Sequence, residues 1–558
     1  MSQHESSGYH SSTLPNTESN PESNPGNAKA EHETQISTYG ALKPYQLTVI
    51  AIGGSINTGL MIAFGNALSR SGPASILISH TFVGLIVFLV LCALGEVASS
   101  SSEPSTVPSH AVQFCGPSLG FTLGWIYWLK YMVVIPNQLT AGTMLVKFWR
   151  DLRSGETAAY ITIFLAIIIG VNYKFSRLLS RFEFFLSSFK VIVVVGLIIL
   201  SLVLVLGGGP DHQRKGFRYW KRPGAFANVD NKTAMGIIYA VFRAVPSTTF
   251  SYLGTELLGM SLLHTQSPRK AAARAVKQTF YRILAFNVLF VTLLGMAIPY
   301  DEDSLALTKD NPKSAASAFV VAVQLAHIST VPHILNAFIL VFVLSAASRA
   351  LCMATRILYE LSLDKNAPSF LSHTDNKGVP VYALGVCSVS ASLTYLNISN
   401  APGILWTYFV NMVTMFNTLT WTSILIVHIA FVRACKIHHI DGLPFKAPFG
   451  VIGSSIALVC CLLMPIMRGI ELSEPNSTNP NIGAIVTSFL GIPLYFSLVL
   501  GYKAVAKKKM PPIKAYPWAN PNTQSVHDTA PGGTEQINNP PTQENTPWQD
   551  RAIPVWLI

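Results

Sequence analysis

Apolar runs of roughly 18 residues or more recur along most of the chain, each long enough to cross the hydrocarbon core of a bilayer as a helix. About twelve windows can be read, near 46–69, 74–99, 119–146, 158–173, 183–206, 233–262, 283–300, 316–346, 380–397, 404–432, 450–468 and 481–503. With no water at that depth, each segment must satisfy its own backbone groups, and a helix does so. Half of the 558 residues are hydrophobic and 12% are charged, with a mean hydropathy of +0.40. A soluble domain carries about twice that share of charge. The expected fold class is an all-α polytopic membrane protein with about twelve transmembrane helices.

The two ends differ from the middle. Residues 1–38 are rich in Ser, Asn, Glu, His and Pro, and residues 509–558 in Pro, Asn, Gln and Thr. Neither stretch can bury a core, so both read as low-complexity tails, platforms for regulation on which trafficking or ubiquitination machinery would act. The membrane domain spans 39–508. No cleavable signal peptide is visible.

The net charge of +12 would suggest nucleic acid in a soluble protein. Here the basic residues sit in short loops between apolar runs, which fits orientation in lipid and leaves no nucleic-acid partner expected. The seven cysteines (Cys92, Cys115, Cys352, Cys387, Cys435, Cys460, Cys461) have no metal-ligand or disulfide-framework spacing, and His438-His439 has no metal-ligand company. No metal or organic cofactor is expected. No His/Asp/Ser constellation gathers on a shared face, so no enzyme activity is expected either.

An even number of spans puts both tails on one side. Lys174, Arg177 and Arg181 follow span 4; Arg269, Lys270, Arg274, Lys277 and Arg282 follow span 6; Lys503, Lys507, Lys508 and Lys509 follow span 12. By the positive-inside rule these loops and both tails are cytoplasmic. The loop after span 5 is basic as well (Arg214, Lys215, Arg218), although this topology puts it outside. Three N-x-S/T sequons, at Asn231, Asn397 and Asn476, fall in or beside loops on the outer side, where glycosylation can occur.

Two spans should not be plain helices. Span 1 carries Ile52-Gly53-Gly54-Ser55-Ile56-Asn57-Thr58-Gly59-Leu60 near its middle, and span 6 carries Pro246-Ser247-Thr248-Thr249-Phe250-Ser251-Tyr252-Leu253-Gly254-Thr255-Glu256. They are five spans apart, the separation of corresponding helices in a five-plus-five inverted repeat. A half-helix N-terminus offers N–H groups to a carboxylate, and a half-helix C-terminus offers carbonyls to an ammonium group or cation. Two facing breaks would therefore hold the backbone of a free amino acid. In the plainer alternative the glycines only let helices pack closely, as Ser55-x-x-x-Gly59 would.

These residues resemble the yeast amino acid transporter family, within the amino acid–polyamine–organocation superfamily. The resemblance runs over most of 39–505. It includes both breaks, Ala93-Leu94-Gly95-Glu96, Gly120-Phe121-Thr122-Leu123-Gly124-Trp125, Arg181-Phe182-Glu183-Phe184-Phe185, Phe189-Lys190-Val191 and Asn376-Lys377-Gly378-Val379-Pro380. It implies twelve helices, an inverted repeat over the first ten with helices 1 and 6 broken, and proton-driven amino acid import by alternating access at the plasma membrane, the proton serving as coupling ion.

By the same resemblance, the Thr58 and Gly59 N–H groups would meet the substrate carboxylate. The Ile56 carbonyl and carbonyls near Phe250 and Ser251 would hold the ammonium, with Phe250 as aromatic wall or gate. Glu256 is either an organiser of the second half-helix or a solvated helix end. Lys190 would carry the coupling proton beside the helix 1 break; the alternative is that it snorkels to the cytoplasmic interface, since an intramembrane lysine is costly without a cavity or partner.

The chain also departs from its relatives. Asn57 stands where the family has glycine in Ile-Gly-Thr-Gly, and Leu253, just before Gly254, where it has the first glycine of Phe-Gly-Gly-Thr-Glu. Asn tolerates left-handed backbone, whereas Leu253 is expected to narrow the pocket or block close approach. Gln138 replaces a glutamate of helix 3, and Ser348-Arg349 replaces Asn-Ser in helix 8. Arg349 would pair with an acidic substrate side chain or with a carboxylate such as Glu256, or else snorkel. These departures leave a non-transporting amino acid sensor on the same fold as the alternative function.

Overall fold

The computed structural model describes Gly53, Leu443 and residues 58–100, 106–174, 179–210, 212–227, 234–255, 287–305, 317–375, 378–398, 402–437, 445–472 and 482–506. Both tails, Ile56, Asn57, Glu256, Asn231, Asn476 and His438-His439 lie outside these residues.

The described chain is helical throughout. A π-helical turn, Gly59–Ala63, leads into α1, Phe64–Ser71. There follow α2 (Pro73–Ser100), α3 (Val107–Cys115), α4 (Pro117–Lys147), α5 (Ser154–Lys174), α6 (Leu179–Leu206) and α7 (Ala234–Ser251). The second half comprises α8 (Leu289–Ala297), α9 (Ala318–Gln324), α10 (Val331–Leu363), α11 (Val381–Ser390) continuing as a 3-10 helix over Ala391–Ile398, α12 (Pro402–Ile437), α13 (Gly450–Leu472), α14 (Ile482–Phe489) and α15 (Gly491–Ala506). Among the described residues, nine helices are long and apolar enough to cross a membrane. Windows 1, 6 and 7 are represented by shorter pieces, two of them the breaks.

One window is corrected. The run 316–346 is two elements: α9 stops at Gln324, His327 takes a positive φ of 57°, and α10 begins at Val331 with Pro332 in its first turn. Hydropathy then ends the span near 346, but α10 continues to Leu363 through Arg349, Arg356 and Glu360. Charged residues end an apolar window, yet they do not end a helix whose neighbours supply partners.

Burial sorts the spans. In α12 and α4, 72% and 67% of the apolar window is buried inside the protein, against 22% in α5 and in the α14–α15 segment. α4 packs along both α10 and α12 and forms the centre. At the perimeter, Ile163 and Ile167 on α5, Ile452 and Val459 on α13, and Phe496 and Leu500 on α15 face outward. A continuous apolar exterior of this kind is stable only against lipid.

Candidate functional site

The two interrupted helices meet. A Cβ on Gly59 would come within 2.6 Å of Ser251 Cα and N and 2.8 Å of the Phe250 carbonyl carbon. Only glycine lets the two backbones approach this closely, so Gly59 is fixed by the contact with α7 as well as by the break in its own helix. Thr58 is buried, and its Oγ1 accepts a 2.9 Å hydrogen bond from Gln138 Nε2 on α4. The glutamine that departs from the family pattern thus holds the first break from the side.

The second break lies just past Ser251. There the ladder tightens to three-residue turns, with Tyr252 N donating to Thr249 O at 3.2 Å and Leu253 N to Phe250 O at 3.1 Å. Left-handed backbone falls on Gly254, at φ 82°. Leu253 is therefore spared the conformation it tolerates poorly, and its buried side chain packs in the core. The expected block to backbone approach is not found: the close contact is carried by Gly59 and Ser251. Phe250, 1% exposed, stands edge-on to Trp406 of α12 with ring centroids 6.0 Å apart. Asn137 Nδ2 on α4 donates to the Trp406 carbonyl at 3.3 Å, so the aromatic wall is anchored on two helices.

Lys190 is 1% exposed, which excludes snorkelling. Its Nζ donates to Ser345 Oγ on α10 at 3.2 Å and lies 5.7 Å from the Phe342 ring centre. Gly53, in the first half of helix 1, packs directly on Ser187, one turn before Lys190 on α6. One turn beyond Ser345, Arg349 Nε pairs with Glu183 Oε1 at 2.8 Å. The partner proposed from sequence, Glu256, is replaced by a carboxylate two turns from Lys190 on the same helix. Ser348 faces α5, taking hydrogen bonds from Asn172 Nδ2 on its Oγ (3.0 Å) and carbonyl (3.2 Å). Ser348 and Arg349 therefore form a helix seam with α5 and α6, separate from the contact between Gly59 and Ser251.

Three features were missed from sequence. His80 on α2 lies beside the second break: Thr248 Oγ1 is 3.1 Å from its Nδ1, and Tyr252 donates its hydroxyl to the His80 carbonyl at 2.9 Å. Lys130, fully buried on α4, sits 4.4 Å from the Tyr127 ring centre and 5.0 Å from that of Tyr131. The third corrects the expectation that no His/acid/Ser group assembles. Glu96 Oε2 accepts from His428 Nε2 at 2.9 Å and from Ala447 N–H at 2.8 Å, while Ser454 Oγ lies 2.9 Å from His428 Nδ1. Serine, imidazole and carboxylate are in the order of a hydrolase triad, but all three are buried and the neighbouring N–H is bound to the carboxylate. The group ties α2, α12 and α13 together. An intramembrane ionisable residue in an apolar run was the available signal for each, but nothing in the run named the partner.

One sequon is also corrected. Asn397 is buried and its Nδ2 donates to Thr140 Oγ1 at 2.8 Å, so in the folded protein that nitrogen is engaged in the interior and cannot present a glycan.

The profile of the amino acid permease family matches residues 46–515. The Saccharomyces cerevisiae dicarboxylic amino acid permease is 40% identical over 474 residues, 84% of this chain and 78% of that protein. The proline-specific permease of the same yeast is 30% identical over 83% of this chain and 74% of its own length, and its general amino-acid permease GAP1 is 32% identical over 83% and 76%. Such relatives indicate a transporter rather than an enzyme. With two interrupted helices in backbone contact inside a multi-pass membrane bundle, and a family match spanning nearly all of that bundle, the chain belongs to the amino acid permease family.

Proposed function

We propose that the protein imports amino acids across the plasma membrane by proton symport with alternating access, both termini cytoplasmic, and that acidic amino acids are its preferred substrates. The meeting of Gly59 with Ser251 carries the reading. It sets the end of α7 against the start of the helix 1 segment, where N–H groups and carbonyls are left over by the interrupted ladders. Thr58 and Gly59 supply donors to the substrate carboxylate. Ile56, Asn57 and the carbonyls near Phe250 and Ser251 take the ammonium, with Phe250 and Trp406 closing one wall. Lys190, dry and held by Ser345 next to the face that meets Gly53, is the proton carrier. Asn231 and Asn476 are the sequons left for glycans, and the tails are where trafficking and ubiquitination machinery acts.

The acidic preference follows from the dicarboxylic relative's 40% identity. The test is uptake of labelled amino acids by permease-deficient yeast expressing the full chain. Uptake of L-glutamate and L-aspartate, stronger at acidic pH and abolished by a protonophore, is expected. Surface-expressed protein that takes up no amino acid would overturn the reading.

A further inference from the structure

A second polar site lies on the other face of the broken helix. A cavity of about 30 Å³ opens between α7, α12, α13 and α14, bounded by Pro246 and Thr249 on one side and by Asn411, Arg468 and Ser488 on the others. At roughly 10–15 Å³ for each water-sized occupant, it takes a carboxylate group rather than a whole amino acid. Thr249 and Ser251 are two residues apart on α7, about 200° around the helix. The cavity is therefore distinct from the contact between Ser251 and Gly59.

Arg468 is the one charged side chain among the described residues lining the cavity. Its Nε donates to Ser488 Oγ at 3.2 Å and its Nη2 to Asn411 Oδ1 at 3.1 Å. A guanidinium can only donate, so the second contact fixes the Asn411 amide with its oxygen toward Arg468 and its nitrogen away. Asn411 is 4% exposed, and its Nδ2 is a buried donor with no hydrogen-bond partner among the described residues. A buried N–H group calls for an acceptor. An amide donor beside a guanidinium calls for an anionic one, and a carboxylate satisfies both with its two oxygens.

We propose that Asn411 and Arg468 form a carboxylate subsite, which the side-chain acid of a dicarboxylic amino acid occupies on its way to or from the break between helices 1 and 6. The assignment rests on the acidic-substrate reading above. It also supplies the cation that Arg349, already paired with Glu183, does not offer. The phosphate of an anionic lipid carries the same oxygen chemistry and is distinguished by experiment.

Asn411→Asp preserves shape and keeps an oxygen for Arg468, but sets a second anionic oxygen where Nδ2 donates. In permease-deficient yeast, with uptake normalised to surface protein, N411D is expected to lower the L-glutamate to L-glutamine selectivity ratio at least tenfold, and Arg468→Gln to shift it the same way. An unaltered ratio in both variants overturns the subsite. If the wild-type chain imports no acidic amino acid, the acidic-substrate reading falls by itself, and purified full-length protein decides the site. Thermal stabilisation by succinate in wild type but not in N411D upholds a carboxylate site. No succinate effect in wild type overturns it, as does stabilisation by phosphatidylserine nanodiscs alone, which assigns the cavity to lipid.

Discussion

On the α6–α10 seam two cations, Lys190 and Arg349, lie near one carboxylate, Glu183, whereas between α2, α12 and α13 one carboxylate, Glu96, takes two donors at 2.9 and 2.8 Å. The first cluster holds an excess of positive charge among the described residues. Lys190 has a hydroxyl and a ring face for company, and Arg349 and Glu183 keep some solvent access. Losing a proton there removes surplus charge, and α6 can answer by shifting against α10. In the second cluster every polar atom of Glu96, His428 and Ser454 that makes the tie is matched, and all three side chains are dry. The difference separates a site suited to a change of charge state from one suited to holding three helices in register.

Removing Glu96 should have the largest effect on stability. Glu96→Ala leaves the His428 Nε2–H and the Ala447 N–H as buried donors, at about 1–3 kcal/mol each. A loss on the order of 3 kcal/mol is expected, read as a lower melting temperature of detergent-purified protein and reduced surface expression, and Glu96→Gln should lose less because its amide oxygen still accepts. If E96A melts with the wild type, the cluster is not a tie. At the break, Gly59→Ala forces a methyl against Ser251 backbone at 2.6 Å, where no flexible side chain can give way. Overpacking of this kind costs about 1–3 kcal/mol, and uptake should fall more steeply than stability because the strain sits where α1 and α7 meet. Normal uptake by G59A would show that the contact is dispensable.

Lys190→Met sharpens the contrast by dissociating the two readouts. Replacing a buried charge by an apolar side chain of similar length is neutral or stabilising, so the melting temperature should hold or rise while uptake loses its dependence on external pH. Proton-dependent uptake by K190M would remove Lys190 from the coupling step. A fall in stability matching that of E96A would erase the distinction between the clusters.

How much of this was legible in the sequence follows from the range over which each signal acts. The spans and both breaks are written locally, in runs of apolar residues and in glycines and prolines within a few positions, and Gly59, Phe250 and Ser251 were found that way. The clusters are written across the whole chain. His428 and Glu96 are 332 residues apart, and Glu183 stood in a recognisable motif without revealing that it would meet Arg349. Leu253 was misjudged because one residue decides where a left-handed turn falls, and here Gly254 takes it. The window ending near 346 failed for the same long-range reason. Arg349 and Glu360 lower hydropathy, but partners from other helices let α10 continue.

The smallest expected effect belongs to Ser345, whose hydroxyl is the one hydrogen-bond acceptor of Lys190 among the described residues. Ser345→Ala removes that acceptor without removing the charge, so about 1 kcal/mol of net hydrogen bonding is lost and the protonated lysine loses more than the neutral one. Lys190 should therefore release its proton more readily, and the pH profile of uptake should shift toward lower pH by up to about one unit, since one unit corresponds to about 1.4 kcal/mol. The melting temperature should stay near that of wild type, because the hydroxyl lies in a partly buried seam that keeps its Glu183–Arg349 pair. A shift toward higher pH, or none at all in a variant that still transports, would mean that Ser345 positions Lys190 without tuning it, and the coupling role would then rest on the surplus charge of the seam alone.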